Sequence, residues 1–123
     1  MTKEKLEKYR TDLKELKRYV DEYRMFRDLG KVISFFDSPS VKETQTDLME
    51  EENRLCKKVS NILKEKRAIE KNIDKVKDAS EALLLRYRYI NGYGWEEISE
   101  LMNYSPRNIH YLHKKALKAV AAS

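Results

Sequence analysis

Turn-forming residues and cysteine are scarce in this chain of 123 residues. Its single cysteine, Cys56, excludes an intrachain disulfide and any cysteine-based zinc site. Three glycines and two prolines are too few turn residues for a multi-stranded β protein. No apolar run approaches the roughly 18 residues of a membrane span, so no transmembrane segment is expected. The opening Met1-Thr2-Lys3-Glu4-Lys5 runs into charged sequence without the apolar core of a signal peptide. A cytoplasmic location is therefore expected. There is no glycine-rich phosphate loop, no nucleophile–base pairing and no ligand cluster, so we expect no enzyme, no cofactor and no bound metal. His110 and His113 are three residues apart, but no third ligand stands near them in sequence. Acidic residues are missing altogether beyond Glu100.

That last absence is informative. Lysine and arginine number 26 against 21 aspartates and glutamates, a formal charge of +5. Arg107, Lys114, Lys115 and Lys118, with His110 and His113, follow Glu100 uncompensated. A basic tail on an otherwise balanced chain points to a polyanionic partner.

Charged residues make up 38% of the chain, which suits long exposed helices. Leu6, Tyr9, Leu13, Leu16, Val20 and Tyr23 alternate steps of three and four, predicting a helix over 3–29 with Gly30 as its stop. Tyr9 and Tyr23 then belong to a packing seam, and with Tyr19 they are not read as a stacking ribbon for single strands. Asp37-Ser38-Pro39-Ser40 reads as a turn. Ser40 with Glu43 forms a possible capping box, or the next helix starts nearer Asp47. That helix should run to Lys77. Leu48, Leu55, Ile62, Ile69 and Val76 recur every seven residues, with Val59 and Ile73 in alternate seam positions. Met49, Cys56 and Leu63 form a further row, on which Cys56 is expected to be a buried small hydrophobe. So long a hairpin buries little by itself, and self-association, with a dimer favoured, is expected.

Beyond Asp78, Ser80 is expected to cap a helix from Glu81 through the apolar stretch to Ile90. Asn91-Gly92-Tyr93-Gly94 ends it with turn chemistry. Trp95–Met102 is a short acidic helix with Trp95, Ile98, Leu101 and Met102 on one face, and Trp95 its core anchor. After the break Asn103-Tyr104-Ser105, Ser105 as N-cap and Pro106 in the first turn open the last helix. Ile109, Leu112, Ala116, Leu117 and Val120 are its expected buried residues. A short helix, a tight turn and a basic helix are the parts of a helix-turn-helix. The outward face of the second helix would carry Arg107, Asn108, His110, Tyr111 and Lys114. The expected fold is all-α: an antiparallel helical hairpin over residues 1–77 that dimerises, followed by a helix-turn-helix domain over 78–123.

The stretch Ala82-Leu83-Leu84-Leu85-Arg86-Tyr87-Arg88-Tyr89-Ile90-Asn91-Gly92-Tyr93-Gly94-Trp95-Glu96-Glu97-Ile98 resembles region four of bacterial sigma factors. Its continuation, Leu101-Met102-Asn103-Tyr104-Ser105-Pro106-Arg107-Asn108-Ile109-His110-Tyr111-Leu112-His113-Lys114-Lys115-Ala116-Leu117, resembles small phage and prophage regulators of the RinA/ArpU-like type. The resemblance covers Ser80 to Val120 and implies a transcriptional regulator, associated with activation of late genes for packaging and morphogenesis. It implies duplex DNA as partner, with Pro106, Arg107, His110 and Tyr111 facing the major groove. Pro106 stands where that pattern carries a basic residue, so no particular promoter sequence is implied. Arg107 is the best placed base reader, through a bidentate contact to guanine, and Asn108 could read adenine. Lys114, Lys115 and Lys118 suit phosphates, with Arg86 and Arg88 as further backbone contacts or as partners of glutamates. Two alternatives are an RNA-polymerase-binding sigma-like factor, for which Glu96, Glu97 and Glu100 offer an acidic patch, and a ring-forming small-terminase-like packaging subunit.

Overall fold

The computed structural model describes residues 1–36 and 38–122. It is all-α among those residues, in the order α1 (Lys3–Ile33), α2 (Pro39–Asp74), α3 (Ala79–Leu85), a π-helical turn (Arg86–Ile90), α4 (Trp95–Met102) and α5 (Pro106–Ala121). The first two form a long antiparallel pair, followed by smaller packed helices. Asp37, part of the expected turn, lies outside the described residues. No helix is long and apolar enough to cross a membrane among them.

The helix boundaries correct four sequence expectations. Gly30 does not stop α1, which continues to Ile33. Glycine inside a helix costs about 1 kcal/mol relative to alanine, which neighbouring turns can absorb. The turn after Ile33 is closed instead by Ser34, whose Oγ donates to Lys31 O at 2.6 Å. The second helix starts at Pro39, before Ser40, and Ser38 Oγ accepts from Val41 N at 3.4 Å. It ends at Asp74, three residues short of Lys77. At α3 the cap is Asp78, not Ser80: Asp78 Oδ1 accepts from Glu81 N at 2.9 Å, and the helix starts at Ala79, two residues ahead of the expected start.

The chain packs as two compact units, each holding part of both long helices: Met1–Lys14 with Lys64–Ser123, and Glu15–Leu63. In the second, Leu55 and Ile62 are buried, while Val20, Tyr23, Cys56 and Val59 line a cavity of about 240 Å³. Cys56 itself is exposed, against expectation. With Met49 and Leu63 it is rotated off the Leu55–Ile62 seam, so one neighbouring helix cannot cover it.

The unit containing the C-terminal helices has the denser core. Leu6, Tyr9, Leu84, Leu85, Tyr89, Ile98, Ala116 and Val120 are each no more than 1% exposed, joined by Ile69, Ile73, Val76 and Ile109. Helix α3 packs against α5, and α5 against α4. Lys8 Nζ joins Glu65 across the unit at 2.8 Å.

The link from the π-helical turn to α4 depends on Gly92. Its φ of +75° is one that side-chain-bearing residues rarely adopt, and an added Cβ would lie 3.2 Å from Leu13 Cδ2. Gly92→Ala should therefore lower stability by about 1–2 kcal/mol, seen as a lower thermal midpoint. An unchanged midpoint would show that the turn relaxes freely.

Candidate nucleic-acid interface

The α4–α5 connection is built by local chemistry. Asn103 closes α4 in the left-handed region, at φ 56° and ψ 41°, which its short polar side chain tolerates. The Asn103 and Tyr104 amides return to Glu100 O and Ser99 O at 3.2 and 3.1 Å, and Ser99 Oγ donates to Tyr104 O. Ser105 then caps α5, its Oγ accepting from Asn108 N at 3.2 Å, with Pro106 in the first turn. Ser105 has extended backbone geometry, as an N-cap residue does.

Ile98 (0% exposed) and Ile109 (2%) are buried as expected. Leu101 is 53% exposed and Leu112 is half-buried, which corrects the expectation that Leu101 lies on the inward face of α4 and that Leu112 is buried on α5. On α4 the inward stripe is Ile98 with half-buried Trp95 and Met102; Leu101 is rotated by about a quarter turn from it. Leu117 is also only half-buried.

Along α5 the buried residues are Ile109, His113, Ala116 and Val120, stepping by four, three and four. The same spacing makes Arg107, Tyr111, Lys114 and Lys118 a single stripe on the opposite side. All four are exposed, as are Asn108, His110 and Lys115 beside them. Tyr111 is 62% exposed, and Lys115 Nζ lies over its ring at 4.7 Å from the centroid. The side chains of Arg107, Lys114 and Lys118 make no hydrogen bond or ion pair among the described residues. No carboxylate occurs on the helix.

The structure gives the other basic candidates intrachain partners. Arg86 pairs with Asp74, not a glutamate. Arg88 stacks over Trp95, its Cζ 4.1 Å from the ring centroid, and donates from Nη1 to Tyr93 O at 3.2 Å. Burial, then the nearby charge of Arg10, lowers the Arg88 pKa. Trp95 thus contacts both the Arg88 guanidinium and the His113 ring, which packs on it in a T-shaped arrangement with the centroids 4.6 Å apart.

His113 is the correction with most consequence. It was grouped by sequence with the basic tail, yet it is only 8% exposed. Its Nε2 lies 2.9 Å from Tyr89 Oη, which donates to Glu7 Oε1 at 3.1 Å. With the Tyr89 proton directed at Glu7, His113 Nε2–H is the donor to Tyr89. Burial, then the positive charges of Lys3 and Arg88, push the imidazole pKa down to about 4. His113 is therefore neutral at pH 7 and belongs to the core. The spacing from Ile109 and Ala116 carried that signal; its polarity concealed it. No group of three or more His, Cys, Asp or Glu side chains is placed to hold a metal ion among the described residues.

No curated protein and no solved structure matches the chain. Residues 38–121 match the DUF1492 family, described as a protein of unknown function. Since that match takes in α2 and every later helix, the chain belongs to the DUF1492 family.

Proposed function

We propose that this protein is a sequence-specific duplex-DNA-binding transcription regulator of the RinA/ArpU-like kind, using α4 and α5 as a helix-turn-helix with α5 in the major groove. The observation that carries this reading is the exposed stripe Arg107–Tyr111–Lys114–Lys118, diametrically opposite the buried stripe of the same helix. It combines donors for base edges and phosphates with an absence of carboxylates on α5, which removes the main source of repulsion from DNA. Arg107 sits one residue into α5, where a recognition helix meets base edges. Lys114 and Lys118, about two and three turns further along the stripe, suit phosphates. Arg86 and Arg88 are secondary candidates, because contact with DNA would have to compete with Asp74 and Trp95. Activation of phage or prophage late genes is the role the resemblance adds to this reading.

The test is binding to genomic fragments against random competitor at two salt concentrations. Arg107→Ala should weaken the preferred site by about 1–3 kcal/mol and relax selectivity there, as loss of a bidentate base contact does. Lys114→Ala should weaken all duplexes alike and reduce the salt slope by about one. Weak, unselective binding indifferent to Arg107→Ala would overturn sequence reading by α5.

One observation favours a second reading, contact with RNA polymerase. Leu101 is 53% exposed on α4, beside exposed Glu97 and Glu100. Capture of polymerase without DNA, lost in Leu101→Ala, would support it.

A further inference from the structure

Within the unit Glu15–Leu63, the charges of α2 are segregated along its length. Residues 43–52 contain Glu43, Asp47, Glu50, Glu51 and Glu52 and no basic residue. Residues 53–63 contain Arg54, Lys57 and Lys58 and no acidic one. Glu43, Asp47, Glu50, Arg54 and Lys57 step by four and three, so they form one stripe, and all five are exposed. Alongside runs the row Met49, Cys56 and Leu63, with Asn53 and Ser60 between its members, likewise all exposed. Leu55 and Ile62, the buried residues of this stretch, are on the other side of the helix. Arg54 is held by Glu51 at 2.7 Å, whereas Glu50 and Lys57 have no ion pair among the described residues.

Such a face is its own complement in one orientation only. A parallel copy would set acid against acid and base against base. An antiparallel copy sets the acidic half of each helix on the basic half of the other, twice, as a two-fold axis requires. The seven-residue spacing of Met49, Cys56 and Leu63 is the period at which a helix keeps one seam towards a partner helix. An unrelated helix would need the same charge order in reverse to fit as well.

We propose that this face of α2 binds a second copy of the chain, with the two α2 helices antiparallel about a two-fold axis near Asn53–Cys56. Met49, Cys56 and Leu63 form the apolar seam, and Glu50 faces the partner's Lys57. The face is separate from the α5 stripe and its association is measured without DNA, so either reading can fail alone.

The experiment is sedimentation equilibrium of the full chain, with helix content followed by circular dichroism. The wild type should be a dimer at micromolar concentration. Glu50→Lys and Lys57→Glu should each weaken self-association by about tenfold or more, because each puts like charges in apposition twice per dimer. Mixing the two single variants should restore a heterodimer, and the double variant E50K/K57E should self-associate like the wild type. Restoration also separates lost association from lost folding. A monomeric wild type, an oligomer larger than a dimer, single variants that associate unchanged, or a mixture that stays monomeric would each overturn the proposal.

Discussion

Ile98→Ala should destabilise the unit that carries α4 and α5 by about 2–5 kcal/mol, the range for deleting a fully buried aliphatic side chain and leaving a cavity. Ile98 is 0% exposed, and it lies in the layer where α4 packs on α5. Leu101→Ala, three residues away on the same helix, should change stability by no more than about 0.5 kcal/mol, because Leu101 is 53% exposed. The two leucine-sized truncations differ only in which side of α4 they touch, so the pair measures the burial difference directly. Urea titration followed by fluorescence of Trp95, the only tryptophan, reports on this unit. The α5 stripe is presented to solvent only while α5 is docked. Ile98→Ala should therefore weaken duplex binding in step with the folded fraction, and Leu101→Ala should leave it unchanged. Equal losses of stability in the two variants would contradict the observed orientation of α4.

Acid should destabilise the same unit well above the pH at which most carboxylates titrate. In the unfolded chain His113 titrates near its ordinary value of about 6.5. In the folded chain burial holds it down to about 4. Above about pH 6.5 the imidazole is neutral in both states and contributes no pH dependence. As pH falls below that value, the unfolded chain takes up a proton that the folded chain refuses, so stability declines until the pH passes the folded pKa near 4. Between about pH 7.5 and about pH 5 the loss should be about 2 kcal/mol. Protonation would also place a charge beside Lys3 and Arg88, with Glu7 alone opposing it. His113→Phe should start less stable, since Tyr89 Oη loses a partner, yet show a flatter profile across this window. A wild-type profile that stays flat to pH 5 would show that His113 takes up its proton in the folded state.

Much of the secondary structure was legible because its signals are local. Ser105-Pro106 opens α5 where the cap and first-turn proline predict it, and α4 occupies Trp95–Met102 as predicted. The outward set Arg107, Asn108, His110, Tyr111 and Lys114 follows from helical spacing once those bounds are known. At the starts of α2 and α3 several capping residues stand within one turn, Ser38 and Ser40 at the first and Asp78 and Ser80 at the second, so local chemistry does not single out Ser38 and Asp78, which accept the capping bonds. The π-helical turn at Arg86–Ile90 had no local signal at all. Its Asn91 N to Arg86 O bond of 2.9 Å belongs to the sharp link towards Gly92, where an added Cβ would meet Leu13, far away in the chain.

By itself the sequence determined an all-α chain, the seams of the two long helices, the start of α5 and the absence of acid beyond Glu100. Helical period, capping and composition act within a few residues, so no tertiary contact is needed to read them. Only the tertiary structure decided which polar groups are spent inside the protein. Glu7, Tyr89 and His113 meet although 82 residues separate the first two, and this turns a histidine of the basic tail into a core residue. Arg86 and Arg88 find Asp74 and Trp95, while Arg107, Lys114 and Lys118 keep their charges towards solvent. Cys56 stays outside because the seam rotates past it. The physical reason is common to all of these: whether a side chain is buried depends on which distant segment packs against it, and helical spacing says only which residues share a face.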